Sequence, residues 1–328
     1  ACFALEAMCL AFGPNSAARG RSALGSHVVD WLRILIDLMA ADCDPVVQAS
    51  WSALDALCKT IPKEDYDGYV GPVTRMVQTV TDALPQAGAG GGQGGRTLPG
   101  FNLPKGVGPL LPIYSQGLLT GSPDTKERAV RGMARLVRFT DPAALRPFAT
   151  AITGPLIRIV GDRHPSNVKA AILSTLGLLL TQISALMRPF LPQLQRTFVR
   201  GLTEPDDIVR QRAAAALAAL IPLQPRLDPL VSELAAGLKQ QTSEVGMKIA
   251  MMKAVRAVVQ APNASSLLSS ASIQAIESLV VGGAEAGVET SACAADPRWR
   301  SLRSSVFGQL CAVLPDESAA TKLILQNA

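Results

Sequence analysis

The stretch from Leu145 to Asp162, LRPFATAITGPLIRIVGD, recurs without a gap 42 positions later as MRPFLPQLQRTFVRGLTE, Met187 to Glu204. Arg146, Pro147, Phe148 and Arg158 meet Arg188, Pro189, Phe190 and Arg200. Ile152, Leu156 and Asp162 meet Leu194, Phe198 and Glu204. A weaker third copy, LDPLVSELAAGLKQQTSE, begins 40 residues further on at Leu227. A period of about 40 residues is that of stacked helix pairs, in which each repeat buries its apolar face only against its neighbours. Length therefore does not translate into a domain count. The 328 residues read as one continuous array, residues 1–328, without an internal boundary.

Composition fits a helical array. Apolar residues make up 48% of the chain and aromatics 4%, so the core must come from Ala, Leu, Val and Ile, the side chains of close helix-on-helix packing. In the first copy, Asp141-Pro142 is a helix start: a capping side chain, then a proline whose missing N–H costs nothing in the first turn. Leu145, Phe148, Ile152, Leu156 and Ile159 then share one helical face. A second helix from His164-Pro165 presents Val168, Ile172, Leu176, Leu179 and Ile183. Similar pairs are expected over 28–41 with 44–60, 105–121 with 123–139, 184–202 with 206–221, 226–241 with 243–260, and 270–282 with 297–314. Another helix is expected over 65–84. Asp44-Pro45, Ser122-Pro123 and Glu204-Pro205 supply further starts. Pro112, Pro155 and Pro192 fall inside first helices and should bend or break them. The predicted fold is all-α, an α-solenoid of antiparallel helix pairs of the HEAT type.

Enzymatic chemistry finds no footing in this pattern. The Gly-rich run within 85–100, PQAGAGGGQGGRTLPG, ends without the Lys-Ser/Thr pair of a nucleotide-binding loop and reads as a loop between helices. His27 and His164 are the two histidines, and neither has the neighbours of a metal site. The six cysteines form no C-x-x-C pair and read as reduced core thiols, with the cytoplasm as the default compartment. The opening run ACFALEAMCLAFG is too short to span a membrane and lacks the basic flank of a signal peptide. It reads as a helix cut from a longer protein. Neither a cofactor nor a small-molecule substrate is expected.

Charge is unevenly spread. Between Arg128 and Arg212 lie 13 of the 31 Lys and Arg but 5 of the 26 Asp and Glu, a net of +8 that leaves −3 for the remainder. A basic stretch favours an acidic partner, whether nucleic acid or an acidic protein surface. Arg158 projects about 120° from the apolar face of its helix, at about 100° per residue, and Arg200 holds the equivalent place one repeat on. Each could serve a partner, or could make turn contacts with Asp162, Glu204 or helix-end carbonyls.

Four strings carry a family resemblance: GFNLPKG with LLPI (Gly100 to Ile113), ITGPLIRIVGDR with VKAAIL (Ile152 to Leu173), RPFLPQLQRTFVR (Arg188 to Arg200) and RLDPLVSEL (Arg226 to Leu234). Together they resemble the C-terminal HEAT repeats of the large translational activators called general control nonderepressible one. The resemblance is specific over 100–260 and elsewhere is that of a helical array. It departs from the family at the Gly-rich insert and at His164, where an aromatic residue is expected. The resemblance implies a non-catalytic cytoplasmic scaffold on stalled or collided ribosomes, whose repeats receive the RWD domain of the kinase of the initiation factor two α subunit and of other RWD-domain proteins. It directs the search for partner contacts to Arg158, Arg163, Lys169, Arg196 and Arg200, for an RWD domain or for the ribosome. No membrane contact is implied, and another HEAT scaffold, such as a transport receptor, would share the fold.

Overall fold

The computed structural model describes residues 2–11, 27–84, 97–161, 164–240, 244–262, 264–281 and 288–314, and every regular element among them is helical. The Gly-rich run 85–96 lies outside the described residues, as do Phe12 and Arg163. The chain divides into two compact units, residues 1–187 and 188–328.

The first unit contains α1 (Cys2–Ala11), α2 (Val28–Leu38), α3 (Asp44–Thr60), α4 (Tyr66–Ala83), α5 (Leu111–Thr120), α6 (Pro123–Arg138), α7 (Ala149–Val160) and α8 (Ser166–Gln182). α1 packs on α3, and α2 packs on α3 and α4. From there the helices form two layers. α4, α6 and α8 pack in succession on one side, and α5 and α7 on the other, with α5 against α6 and α7 against α8. The second unit contains α9 (Leu191–Gly201), α10 (Asp207–Leu220), α11 (Asp228–Lys239), α12 (Val245–Val259), α13 (Ser270–Val281) and α14 (Pro297–Val313). It repeats the scheme: α10, α12 and α14 pack in succession, as do α11 and α13, and α9, α11 and α13 each lie against the following helix. The expected all-α array of HEAT-type pairs is the fold observed.

The apolar periodicity accounts for the core. Ile152, Leu156, Val168, Ile172, Leu176 and Leu179 are fully buried in the first unit, and Leu194, Phe198, Leu227 and Leu238 in the second. Phe148 falls short of the sequence expectation and is half-buried. Repetition in sequence is repetition in local structure. The first copy runs as a short helix Pro142–Leu145, a 3-10 turn Arg146–Phe148, then α7. The second runs as Ser184–Met187, Arg188–Phe190, then α9. The third copy lacks Arg-Pro-Phe and passes directly from Leu227 into α11.

This pattern corrects the role of two prolines. Pro112 and Pro192 stand in the first turns of α5 and α9, not in helix interiors. There the absent N–H has no carbonyl to lose. The break in the first helices comes earlier, at the 3-10 turns around Pro147 and Pro189, and Pro155 alone of the three lies inside its helix. The helix expected over 105–121 starts only at Leu111. Before it the backbone is drawn into turns so close that a Cβ on Gly106 would lie 2.3 Å from the Phe101 carbonyl oxygen. Leu98 and Phe101, fully buried, hold this segment in place, while the Leu98 amide donates to the Phe139 carbonyl at 2.8 Å and the Gly100 amide to that of Met39 at 2.9 Å.

Helix starts follow capping rules with two shifts. The Ser122 hydroxyl accepts from the Thr125 amide at 3.3 Å and the Asp141 carboxylate from the Ala143 amide at 2.8 Å. α10 is capped by Asp206, which accepts from Ile208 at 2.8 Å, not by the Glu204-Pro205 start. α3 has Cys43 at its cap, so Asp44 sits in the first turn and faces the positive helix end. Cys43 is accordingly exposed, against the expectation of core thiols. Cys9, Cys58 and Cys293 are buried, and Cys2 and Cys311 are half-buried. Among the described residues no cysteine is bridged, no group of His, Cys, Asp or Glu has metal-binding geometry, and no single helix is long and apolar enough to cross a membrane.

Candidate functional site

α7 buries Ala149, Ile152, Thr153, Leu156, Ile157 and Ile159, which turns the opposite strip outward. Ala151, Gly154 and Arg158 occupy that strip at successive turns, and all three are exposed. Arg158 makes no ion pair or side-chain hydrogen bond among the described residues; Asp162, the first of the alternative turn partners, lies outside them. Gly154 lies one turn before Arg158, and a Cβ on Gly154 would meet nothing within 4 Å. The guanidinium therefore stands beside a bare stretch of helix, where a partner's backbone can approach closely. Such a fork of donors suits a carboxylate or a phosphate.

The remaining candidates fall in different places. Lys169 is half-buried in the first turn of α8, the helix that packs against α7. Arg163 lies outside the described residues. Arg196 and Arg200 are exposed on α9, one turn apart, on the side opposite Leu194 and Phe198. In the last turns of α7 and α9, Arg158 and Arg200 also oppose the negative helix end, a role compatible with partner binding. Arg158 and Lys169 belong to the first compact unit, Arg196 and Arg200 to the second.

Sequence reasoning passed over a further basic cluster. Arg128, Arg131 and Arg135 form a stripe along α6 and, with Arg75 of α4, line a groove between those two helices. The i, i+3, i+7 spacing was readable as one helix face, and three of the four arginines open the basic stretch. That α4 would bring Arg75 to the same place was not readable.

Comparison with known proteins decides the family. Residues 1–105 match the family model described as Stalled ribosome sensor GCN1-like, HEAT repeats. The chain is 35% identical over 307 residues to Stalled ribosome sensor GCN1 of Mus musculus, an alignment covering 93% of this chain and 11% of that protein. It is 43% identical over 215 residues to the eIF-2-alpha kinase activator GCN1 of Saccharomyces cerevisiae, covering 65% of this chain and 8% of that protein. The chain belongs to the HEAT-repeat region of the GCN1 family. The GCN1 family match thus extends over residues 1–99, where the sequence strings had shown only a helical array. This chain spans about a tenth of the length of the curated GCN1 relatives it matches. Importin beta, among solved structures, superimposes with a TM-score of 0.47 at 13% identity, covering 90% of this chain and 38% of that one.

Proposed function

We propose that this chain is a cytoplasmic binding scaffold without chemistry of its own, which docks the RWD domain of the kinase of the initiation factor two α subunit, and competing RWD-domain proteins, on stalled ribosomes. The names of its relatives, a stalled ribosome sensor and an eIF-2-alpha kinase activator, support a role in that pathway. The observation that carries the docking site is Arg158: exposed, without an internal partner among the described residues, beside an open Gly154. A carboxylate on the docked domain would pair with its fork. The continuous array of residues 1–328, with 100–260 as the docking region, belongs to the same proposal.

A second reading gives the arginines to ribosomal RNA, and the exposed Arg196 and Arg200 on one face of α9 favour it. Phosphate neutralisation needs charge and no particular fork geometry. The test is capture of the chain by an isolated RWD domain and by salt-washed ribosomes, with Arg158→Ala and Arg158→Lys. A desolvated carboxylate contact loses about 2 to 5 kcal/mol in the Ala variant, and a contact that uses the fork also fails with Lys. A phosphate contact largely survives Lys, and Arg158→Ala reduces its salt slope by about one. Full RWD binding by a folded Arg158→Ala chain overturns the assignment.

A further inference from the structure

The groove between α4 and α6 has a volume of about 790 Å³ and lies on the α4–α6–α8 layer, away from the α5–α7 layer that carries Arg158. Its floor on α4 is built from Gly68, Gly71 and Pro72. Glycine in a helix interior costs about 1 kcal/mol relative to alanine, and at Gly117 and Gly132 of this unit packing explains it. A Cβ on Gly117 would lie 2.4 Å from Val70, and one on Gly132 would lie 2.2 Å from the Tyr114 ring. No such neighbour explains the groove glycines. A Cβ on Gly68 would meet nothing within 4 Å, and one on Gly71 would make ordinary contact with the Arg128 guanidinium at 3.8 Å. Space is left open here that the fold does not require.

The charges around that space are not used up internally. Arg135 is held by the Thr81 hydroxyl at 2.6 Å and Asp82 at 2.9 Å, and Arg131 by Glu127. Arg75 and Arg128 are exposed on opposite walls and make no ion pair or side-chain hydrogen bond among the described residues. The geometry points to a docking site for an acidic segment of a protein partner, whose carboxylates pair with Arg75 and Arg128 over the glycine floor. Two features favour a protein over nucleic acid. Asp67, Asp82 and Glu127 are interleaved with the arginines, so the four positive charges leave a local net of only +1. A polyanionic backbone, with a charge every ~1.7 Å of duplex, would be forced against those carboxylates, whereas a peptide can place its acids opposite two arginines. The lining also lacks an aromatic residue on which a base could stack. The stripe from Arg128 to Arg135 is about 10 Å long, room for about three residues of extended chain.

This inference does not rest on the RWD reading. It is tested on the whole chain by fluorescence anisotropy, with a labelled octaglutamate peptide and a labelled 20-nucleotide uridine RNA as probes. The peptide is expected to bind, and the Arg75→Ala/Arg128→Ala double variant to weaken it about ten- to thirtyfold. Gly71→Leu keeps every charge but fills the floor, and should weaken the peptide about tenfold, while Gly71→Ala binds like the parent chain. Arg33→Ala/Arg226→Ala, which removes two exposed arginines elsewhere, should change affinity less than twofold. Circular dichroism melts establish that each variant is folded. The proposal is overturned if the peptide does not bind, or if either the double arginine variant or folded Gly71→Leu binds it like the parent chain. It is equally overturned if the double variant lowers RNA affinity and leaves the peptide unaffected, since the groove would then read phosphate.

Discussion

Leu176 is fully buried in α8, which packs against both α6 and α7, so Leu176→Ala probes the heart of the first unit. The substitution removes three carbons from a site closed to water. At about 0.8 kcal/mol per buried methylene the transfer loss is about 2.4 kcal/mol. If about 50 Å³ of the hole fails to close, ~24 cal/mol per Å³ adds about 1.2 kcal/mol. The expected destabilisation is therefore about 3 to 4 kcal/mol. Two controls on the same helix fix the register: Ser174 is exposed, and Ser174→Ala should stay within about half a kcal/mol, whereas Leu179→Ala should resemble Leu176→Ala. Urea titration followed by circular dichroism gives the size of the loss, and amide hydrogen exchange gives its location. In a nearest-neighbour array the damage spreads to adjoining helices first, so protection should fall in α6, α7 and α8 while α12 and α14 keep theirs. A loss below about half a kcal/mol, or an equal fall of protection in α14, would refute the packing argument.

Three other perturbations follow from the structure. Gly132→Ala drives a Cβ to 2.2 Å from the rigid ring of Tyr114 and should cost about 1 to 3 kcal/mol through overpacking, whereas Gly308→Ala, with nothing within 4 Å, should be neutral or slightly stabilising in a thermal melt. Burial, aided by the neighbouring Asp55 carboxylate, pushes the Cys58 thiol far up, so in a timed iodoacetamide reaction read by mass spectrometry exposed Cys43 should be labelled long before Cys58. Equal labelling rates in the folded chain would contradict the burial. The Asp228 carboxyl is held below the usual carboxylate range by the Ser272 hydroxyl and by the amide and hydroxyl of Ser269. Because its folded pKa is the lower one, its stabilising contribution is complete at neutral pH and is lost as pH falls through the unfolded value toward the folded one. Ser272→Ala should therefore destabilise at pH 7, and the gap to the parent chain should narrow below about pH 4 in paired urea melts.

Helix existence and burial were legible because both depend on local periodicity. The spacing of Val168, Ile172, Leu176 and Leu179 named the buried face of α8, and the 42-residue shift carried the short helix, 3-10 turn and long helix of one repeat onto the next. The family was legible from strings such as ITGPLIRIVGDR. The prolines were misread because helical periodicity does not distinguish a first turn from an interior position. Only the backbone hydrogen-bonding pattern places Pro112 and Pro192 at helix starts. Arg158 was legible as an outward residue, since its angle from Leu156 and Ile152 follows from the helix alone.

Contacts between helices lie beyond such reasoning, because they depend on which elements pack side by side and at what angle. The buried Lys248 ammonium donates to the Val288 carbonyl at 2.9 Å, and in sequence it is one more lysine in a polar helix position. Asp228 reaches across to Ser269 and Ser272 at 2.8 and 2.6 Å, joining the start of α11 to that of α13. The sequence by itself determined that this chain is a helical array of GCN1 type with an outward arginine on α7. Tertiary structure alone decided that Arg75 and Arg128, separated by more than fifty residues, face one another over a floor of glycines, because a groove is a property of the space between two packed helices and neither helix encodes it alone.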